Sequence, residues 1–222
     1  MKSPFGQSDG LPHTSVATVE LEQALARPGC VVCALTHRME KRWVWTLLYE
    51  HSGDISIHQA LADAVGLCAE HGALVERVVG ERQLASAGAT ARLYLTVVNR
   101  VRDRLQEGGR RVPVPRCPLC LRVEQTGRHL AGTLAQALKD GAWREGYESS
   151  DGLCLPHLDM CLSAMRGEVR DWLREDANRR LDELSERLSE FCRKQRYDVE
   201  EEISEEESVA WKEALWRIGG LA

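Results

Sequence analysis

Strongly basic stretches are nearly absent from this sequence, as are long apolar runs and the short signatures of nucleotide or acyl chemistry. Twenty-nine Lys and Arg residues face 34 Asp and Glu, for a net charge of −5. A protein that neutralises many phosphates carries a basic face. The only concentrated basic stretch here is Arg110-Arg111 with Arg116, in a Pro-rich link, so nucleic acid is a disfavoured partner. No apolar run approaches the ~20 residues that a spanning helix needs, and no membrane association is expected. The opening MKSPFGQSDGLPHTS lacks the apolar stretch of a secretory signal, and a cytoplasmic protein is the expectation. A Gly-rich phosphate loop, a nucleophile elbow and a Ser/His/Asp signature are all missing, which weakens the case for an enzyme without closing it. Aromatics make up only 5%. Six of them are tryptophans (Trp43, Trp45, Trp143, Trp172, Trp211 and Trp216), and these read as fillers of gaps between helices.

What the chain does have is eight cysteines. In a reducing compartment they point to metal or redox chemistry more than to structural disulfides. Six of them fall into a repeated pattern. Cys30-Val31-Val32-Cys33 is followed, after 32 intervening residues, by Gly66-Leu67-Cys68-Ala69-Glu70-His71. Cys117-Pro118-Leu119-Cys120 is followed, after 31 intervening residues, by Gly152-Leu153-Cys154-Leu155-Pro156-His157. Cys30 and Cys33 lie 87 residues before their counterparts, and Cys68 and His71 lie 86 before theirs. One gap therefore aligns the copies, as an internal duplication would.

The intervening segments read as helix. Leu35, Met39, Trp43 and Leu47 recur every four residues, and Val123, Gly127, Leu130, Leu134 and Leu138 do much the same. A leading helix is expected over Val19–Ala26, stopped by Pro28-Gly29. Ser52-Gly53-Asp54 should break the first long helix, and Ser56 with Gln59 suggests a capping box for a short returning helix that ends near Gly66. Residues 70–86 and 90–107 read as two more helices, ended by Gly108-Gly109, with Val112–Pro115 as a link. Lys139–Asp151 is polar and reads less clearly as helix. One or two long helices should run beyond His157 to about Arg196. Ser204 with Glu207 suggests a second capping box, for a last helix ended by Gly219-Gly220. No segment alternates with period two, so the fold class is all-α: an internally duplicated helical bundle with two metal sites at helix ends. Its parts are an extended or disordered 1–16, a first repeat over 17–112, a second over 113–198, and an acidic loop with a packing helix over 199–222.

Three thiolates and one imidazole in a tetrahedron suit zinc in a closed structural site. The expected ligands are Cys30, Cys33, Cys68 and His71 in one site and Cys117, Cys120, Cys154 and His157 in the other. The reasoning is that each repeat's short second helix returns its Cys-x-x-His to its own Cys-x-x-Cys. A cross-braced alternative would give one all-cysteine site and one site of two cysteines and two histidines. Other readings of the cysteines are small buried hydrophobes, disulfides, or ligands of an iron–sulfur cluster. Two zinc ions are the favoured cofactors, with the iron–sulfur cluster as the alternative. Outside the pattern, Cys161 lies four residues past His157 and could replace a ligand or respond to oxidation, a packed helix cysteine being the simpler reading. Cys192 has no partner in the sequence and reads as packed or half-exposed. His37 could approach Cys33, and Glu40 and Glu124 could stand behind metal ligands, although a solvated helix face is the simpler reading of each.

The chain resembles a family of uncharacterised prokaryotic proteins. The resemblance is carried by Pro28-Gly29-Cys30-Val31-Val32-Cys33, Gly66–His71, Cys117–Cys120, Gly152–His157, Lys194-Gln195-Arg196-Tyr197 and Ser208–Ile218, and it covers nearly everything from Leu21 onward. Val31 stands where proline is common in that family. The resemblance implies the same doubled metal-binding plan and carries nothing about activity. A non-enzymatic, zinc-stapled helical protein that meets a protein partner is the leading expectation. A redox- or metal-responsive switch, and an iron–sulfur protein or metalloenzyme, are the alternatives.

Overall fold

The structure is a computed structural model that describes residues 15–81, 86–107 and 115–220. Among the described residues there are ten α-helices and no strand. They are α1 (Val16–Leu25), α2 (Val31–Tyr49), α3 (Ile55–Asp63), α4 (Ala69–Glu81), α5 (Ala87–Gln106), α6 (Pro118–Ala137), α7 (Gly141–Glu148), α8 (Leu155–Ala164), α9 (Glu168–Lys194) and α10 (Glu205–Gly219). The two copies of the pattern fold to the same order: a long helix of 19 or 20 residues, a short one of 9 or 8, then a helix that begins inside Cys-x-x-His. No helix among the described residues is long and apolar enough to cross a membrane.

The helix starts follow local chemistry. Ser204 and Glu207 form the expected capping box of α10, and Gly220 closes that helix in the left-handed conformation. The start of α3 differs from expectation. Asp54, not Ser56, is its N-cap, and its carboxylate accepts from the Ser56 N–H at 2.8 Å. An aspartate two residues earlier takes the capping role and starts the helix sooner. The polar link expected over Lys139–Asp151 is mostly α7, capped by Asp140 and anchored by the buried Trp143 and Tyr147. Residue 16, expected in an extended terminus, is already helical, because Ser15 caps α1 with a reciprocal Thr18 box. Residues 1–14, the Gly108-Gly109 stop, most of the Val112–Pro115 link, and Arg110-Arg111 lie outside the described residues.

Two compact units divide the chain, and neither is a sequence repeat. One is His37–Gln125; the other takes the described residues of Met1–Thr36 and Thr126–Ala222. The core of the first gathers Val44, Leu48, Leu61, Leu74, Val78, Leu93, Val97 and Leu119, with α3 packed on α5. The core of the second gathers Leu21, Val31, Val32, Leu134, Leu138, Trp143, Tyr147 and Leu173. There α1 packs on α7, and α10 lies on α8 and α9. Among the tryptophans only Trp143 is a fully buried core residue, and Trp211 is exposed.

Candidate metal centres

All four motifs sit at helix starts in the same way. Cys30, Cys68, Cys117 and Cys154 each immediately precede the first residue of α2, α4, α6 and α8. The carbonyl of each accepts the first bond of its helix, from Ala34, Gly72, Leu121 and Leu158. Each first cysteine is thus at the N-cap, and the cysteine or histidine three residues on is at N3. Those two side chains lie side by side, as in a capping box, which is why a spacing of three serves two ligands. The partial positive charge of a helix N-terminus also favours thiolates there.

The residues gather into two quartets, and the partition is not the expected one. Cys30 and Cys33 meet Cys154 and His157; Cys68 and His71 meet Cys117 and Cys120. Within each quartet the ligand atoms all lie within 4.8 Å of one another. In the first, Cys33 Sγ is 3.6 Å from Cys154 Sγ. His157 Nδ1 is 3.1, 3.3 and 3.5 Å from the sulfurs of Cys154, Cys33 and Cys30. In the second, Cys68 Sγ is 3.7 Å from Cys120 Sγ, and His71 Nδ1 is 3.2, 3.4 and 3.5 Å from Cys68, Cys120 and Cys117. Both quartets have three sulfurs and one imidazole, so the composition is as expected. Each repeat, however, gives its Cys-x-x-Cys to the Cys-x-x-His of the other. This corrects the local pairing, and it is not the cross-braced alternative either. In chain order the quartets are nested, the Cys68/His71/Cys117/Cys120 quartet lying inside the span of the other. We call them inner and outer.

The Gly-Leu-Cys glycines have a conformational reason. Gly66 and Gly152 have φ of +80° and +82°, a region that L side chains rarely adopt. A side chain at Gly66 would begin 3.2 Å from the Tyr94 ring, and one at Gly152 would begin 3.2 Å from Tyr147 Oη. Tyr94 Oη accepts from the Leu67 N–H. Arg180 donates to the carbonyls of Tyr147, Glu148 and Ser150 and pairs with the buried Asp176, which fixes the approach to Cys154. Asp151 accepts from the Gly29 N–H at 2.7 Å and ties that approach to the residue before Cys30. At the outer quartet the Gly220 carbonyl lies 3.3 Å from Cys33 Sγ, so the end of α10 covers the site.

The electrostatics show what the quartets need. Contacts with Cys154, then Cys33, draw the Cys30 thiol well below its usual range, and contacts with Cys154 and Cys30 push Cys33 well above it. Ionisation of Cys30 therefore disfavours ionisation of Cys33, because a second charge would meet the first at contact distance. In the inner quartet burial opposes ionisation of Cys117, but N–H groups of Cys68, Cys120 and Leu119 bring it down to about 7. Burial and the neighbouring Cys68 and Cys117 push Cys120 up to about 12. Burial works to lower His157, yet Cys154 and Cys30 raise it to about 9. Each cluster thus places three sulfurs and one imidazole where a single cation could be reached by all four ligand atoms.

Two residues behave differently from the simpler reading of them. Glu40, expected on a solvated face, accepts from His71 Nε2 at 2.9 Å and pairs with His37 at 3.2 Å. Cys192 is exposed. Glu124 pairs with Arg116, and Cys161 is fully buried with its sulfur facing the Ala131 carbonyl at 3.5 Å. All eight cysteines are free. The sulfur separations of 3.6 and 3.7 Å are far beyond the ~2.05 Å of a disulfide bond.

No family model, curated protein or solved structure matches this chain.

Proposed function

We propose that the chain is a zinc-stapled helical protein whose work is to present an interaction surface to a protein partner. The observation that carries the reading is the make-up of both quartets: three sulfurs and one nitrogen, one atom from each residue, all within 4.8 Å of one another. A tetrahedral zinc ion would separate its sulfurs by about 3.8 Å and sulfur from nitrogen by about 3.6 Å. The separations here, 3.6–3.7 Å and 3.1–3.5 Å, fit such an ion. An iron–sulfur cluster spreads its ligands over separate irons, and ligand atoms all within 4.8 Å favour one ion instead. With four protein ligands no position is left for substrate or water, so the ion acts as a staple and not as a Lewis acid.

The partner part of the reading rests on helix faces. Helix α5 buries Ala89, Leu93 and Val97, and on another side it exposes Leu95, Val98 and Leu105. Helix α10 exposes Val209, Trp211, Leu215 and Ile218. Apolar rows of this kind are recognised by protein surfaces. A switch built on Cys161 has less support: burial holds that thiol up, to about 12, and a buried, protonated thiol is inert.

Elemental analysis of protein purified without added metal, followed by chelation under circular dichroism, tests the proposal. Two zinc ions per chain and loss of helix on their removal are expected. A brown iron protein, or a metal-free sample that keeps its full helicity and melting transition, would overturn it.

A further inference from the structure

The two metal positions are matched in their ligands but not in what stands behind their histidines. Glu40 lies seven residues past Cys33 on α2, and Gly127 lies seven past Cys120 on α6. They are 87 residues apart, the same offset as the cysteines themselves. Each meets the histidine of its own repeat. Glu40 Oε1 accepts from His71 Nε2 at 2.9 Å, while a Cβ at Gly127 would lie only 3.3 Å from His157 Nε2. The same register therefore holds a carboxylate at the inner site and no side chain at the outer one. In both quartets Nδ1 faces the sulfurs, so the Nε2–H points away from the ion and needs an acceptor.

We infer that Glu40 is a positioning residue for the inner metal ion alone, and that the two ions are held unequally as a result. This rests on the metal reading above. The chemistry is the carboxylate–histidine–metal arrangement: an acceptor on the far nitrogen fixes the tautomer and the ring plane and raises the basicity of the ligating nitrogen. Glu40 is itself held, since its second oxygen pairs with His37 Nδ1 at 3.2 Å. The side chain is only 17% exposed, so the bond to His71 is shielded from competing water. At the outer site His157 Nε2 lies against Gly127, which offers no side chain, and among the described residues no carboxylate contributes to the basicity of its ring. Greater burial of the outer sulfurs shields that ion from solvent, but burial adds nothing to the donor strength of the imidazole.

The test is a competition titration of the full-length, metal-loaded protein against a chromophoric chelator, comparing wild type with Glu40→Ala. One of the two ions should lose about 10- to 100-fold in affinity, the scale of such outer partners, and the other should keep its wild-type value. In nitrogen-15 spectra of the histidine side chains, one metal-bound imidazole should shift at Nε2 while the second stays in place. Both ions unchanged, or both weakened together, would overturn the inference, the second case marking a general loosening of the fold. A protein that binds no metal at all would instead defeat the metal reading on which this rests.

Discussion

Removing ligands two at a time separates the nested quartets from the local ones. Cys33→Ser with Cys154→Ser takes two ligands from the outer quartet, whose sulfurs lie 3.6 Å apart, and leaves the inner quartet whole. Cys33→Ser with Cys68→Ser takes one ligand from each. A structural zinc site contributes about 10–16 kcal/mol of apparent binding free energy. One thiolate of four is then worth about 3 kcal/mol, roughly two decades of affinity. After dialysis against a chelator of intermediate strength, the first double variant should keep one ion per chain and the second should keep neither. Elemental analysis reads this directly. If each repeat held its own ion, the counts would be reversed: Cys33 and Cys68 would share an ion and their joint loss would spare the other. That reversal would refute the geometry described above.

Three further outcomes follow from particular residues. Alkylation of the native, metal-loaded protein at pH 8, mapped by mass spectrometry, should mark the exposed Cys192 and spare Cys161; burial raises Cys161 to about 12, so it becomes reactive only on unfolding or as the pH climbs towards that value. Gly152→Ala should lower stability by about 1–2 kcal/mol from its left-handed backbone alone, with more from the 3.2 Å approach to Tyr147 Oη; a denaturant midpoint equal to wild type would contradict that. During refolding with limiting metal the inner quartet should fill first. It closes a separation of 46 residues against 121 for the outer, which favours it by about 0.9 kcal/mol in chain entropy; protection of Cys117 from alkylation should precede that of Cys33, and the opposite order would exclude it.

The all-helical class and the eight residues that gather into the two clusters were readable because each rests on local chemistry: four-residue apolar spacing, and motifs whose spacing of three suits N-cap and N3. The Ser204–Glu207 box and the Gly220 stop were readable for the same reason. Asp54 was missed as the cap of α3 because Ser56 and Gln59 offered an equally good box two residues on, and only the backbone decides between them. Helix α7 was obscured by a polar stretch whose two anchoring rings, Trp143 and Tyr147, are too few to make a stripe. Glu40 was invisible because its role depends on a histidine 31 residues away, and a glutamate on a helix is most often solvated.

The partition of the ligands was legible in principle, from helix lengths. Helix α2 has 19 residues and carries the chain about 28 Å from Cys30, while α3 has 9 and can return it only about 13 Å. A motif that follows α3 closely therefore meets α2 part-way along and not at its start. The contact between His71 and Glu40 is what that arithmetic requires, since Glu40 lies about 15 Å along the helix from Cys30. The second repeat has the same imbalance, with 20 residues out and 8 back, and His157 meets α6 at Gly127. A local site would need the short helices to be roughly twice as long. With the lengths as they are, each Cys-x-x-His stops short of its own Cys-x-x-Cys, and exchange between repeats is how both quartets are completed. Lengthening α3 by two turns should therefore not restore local pairing to one repeat alone. It would carry His71 past Glu40 and away from Cys117 and Cys120, and elemental analysis should then show one ion per chain, held by the outer quartet; retention of both ions would show that helix length does not set the pairing.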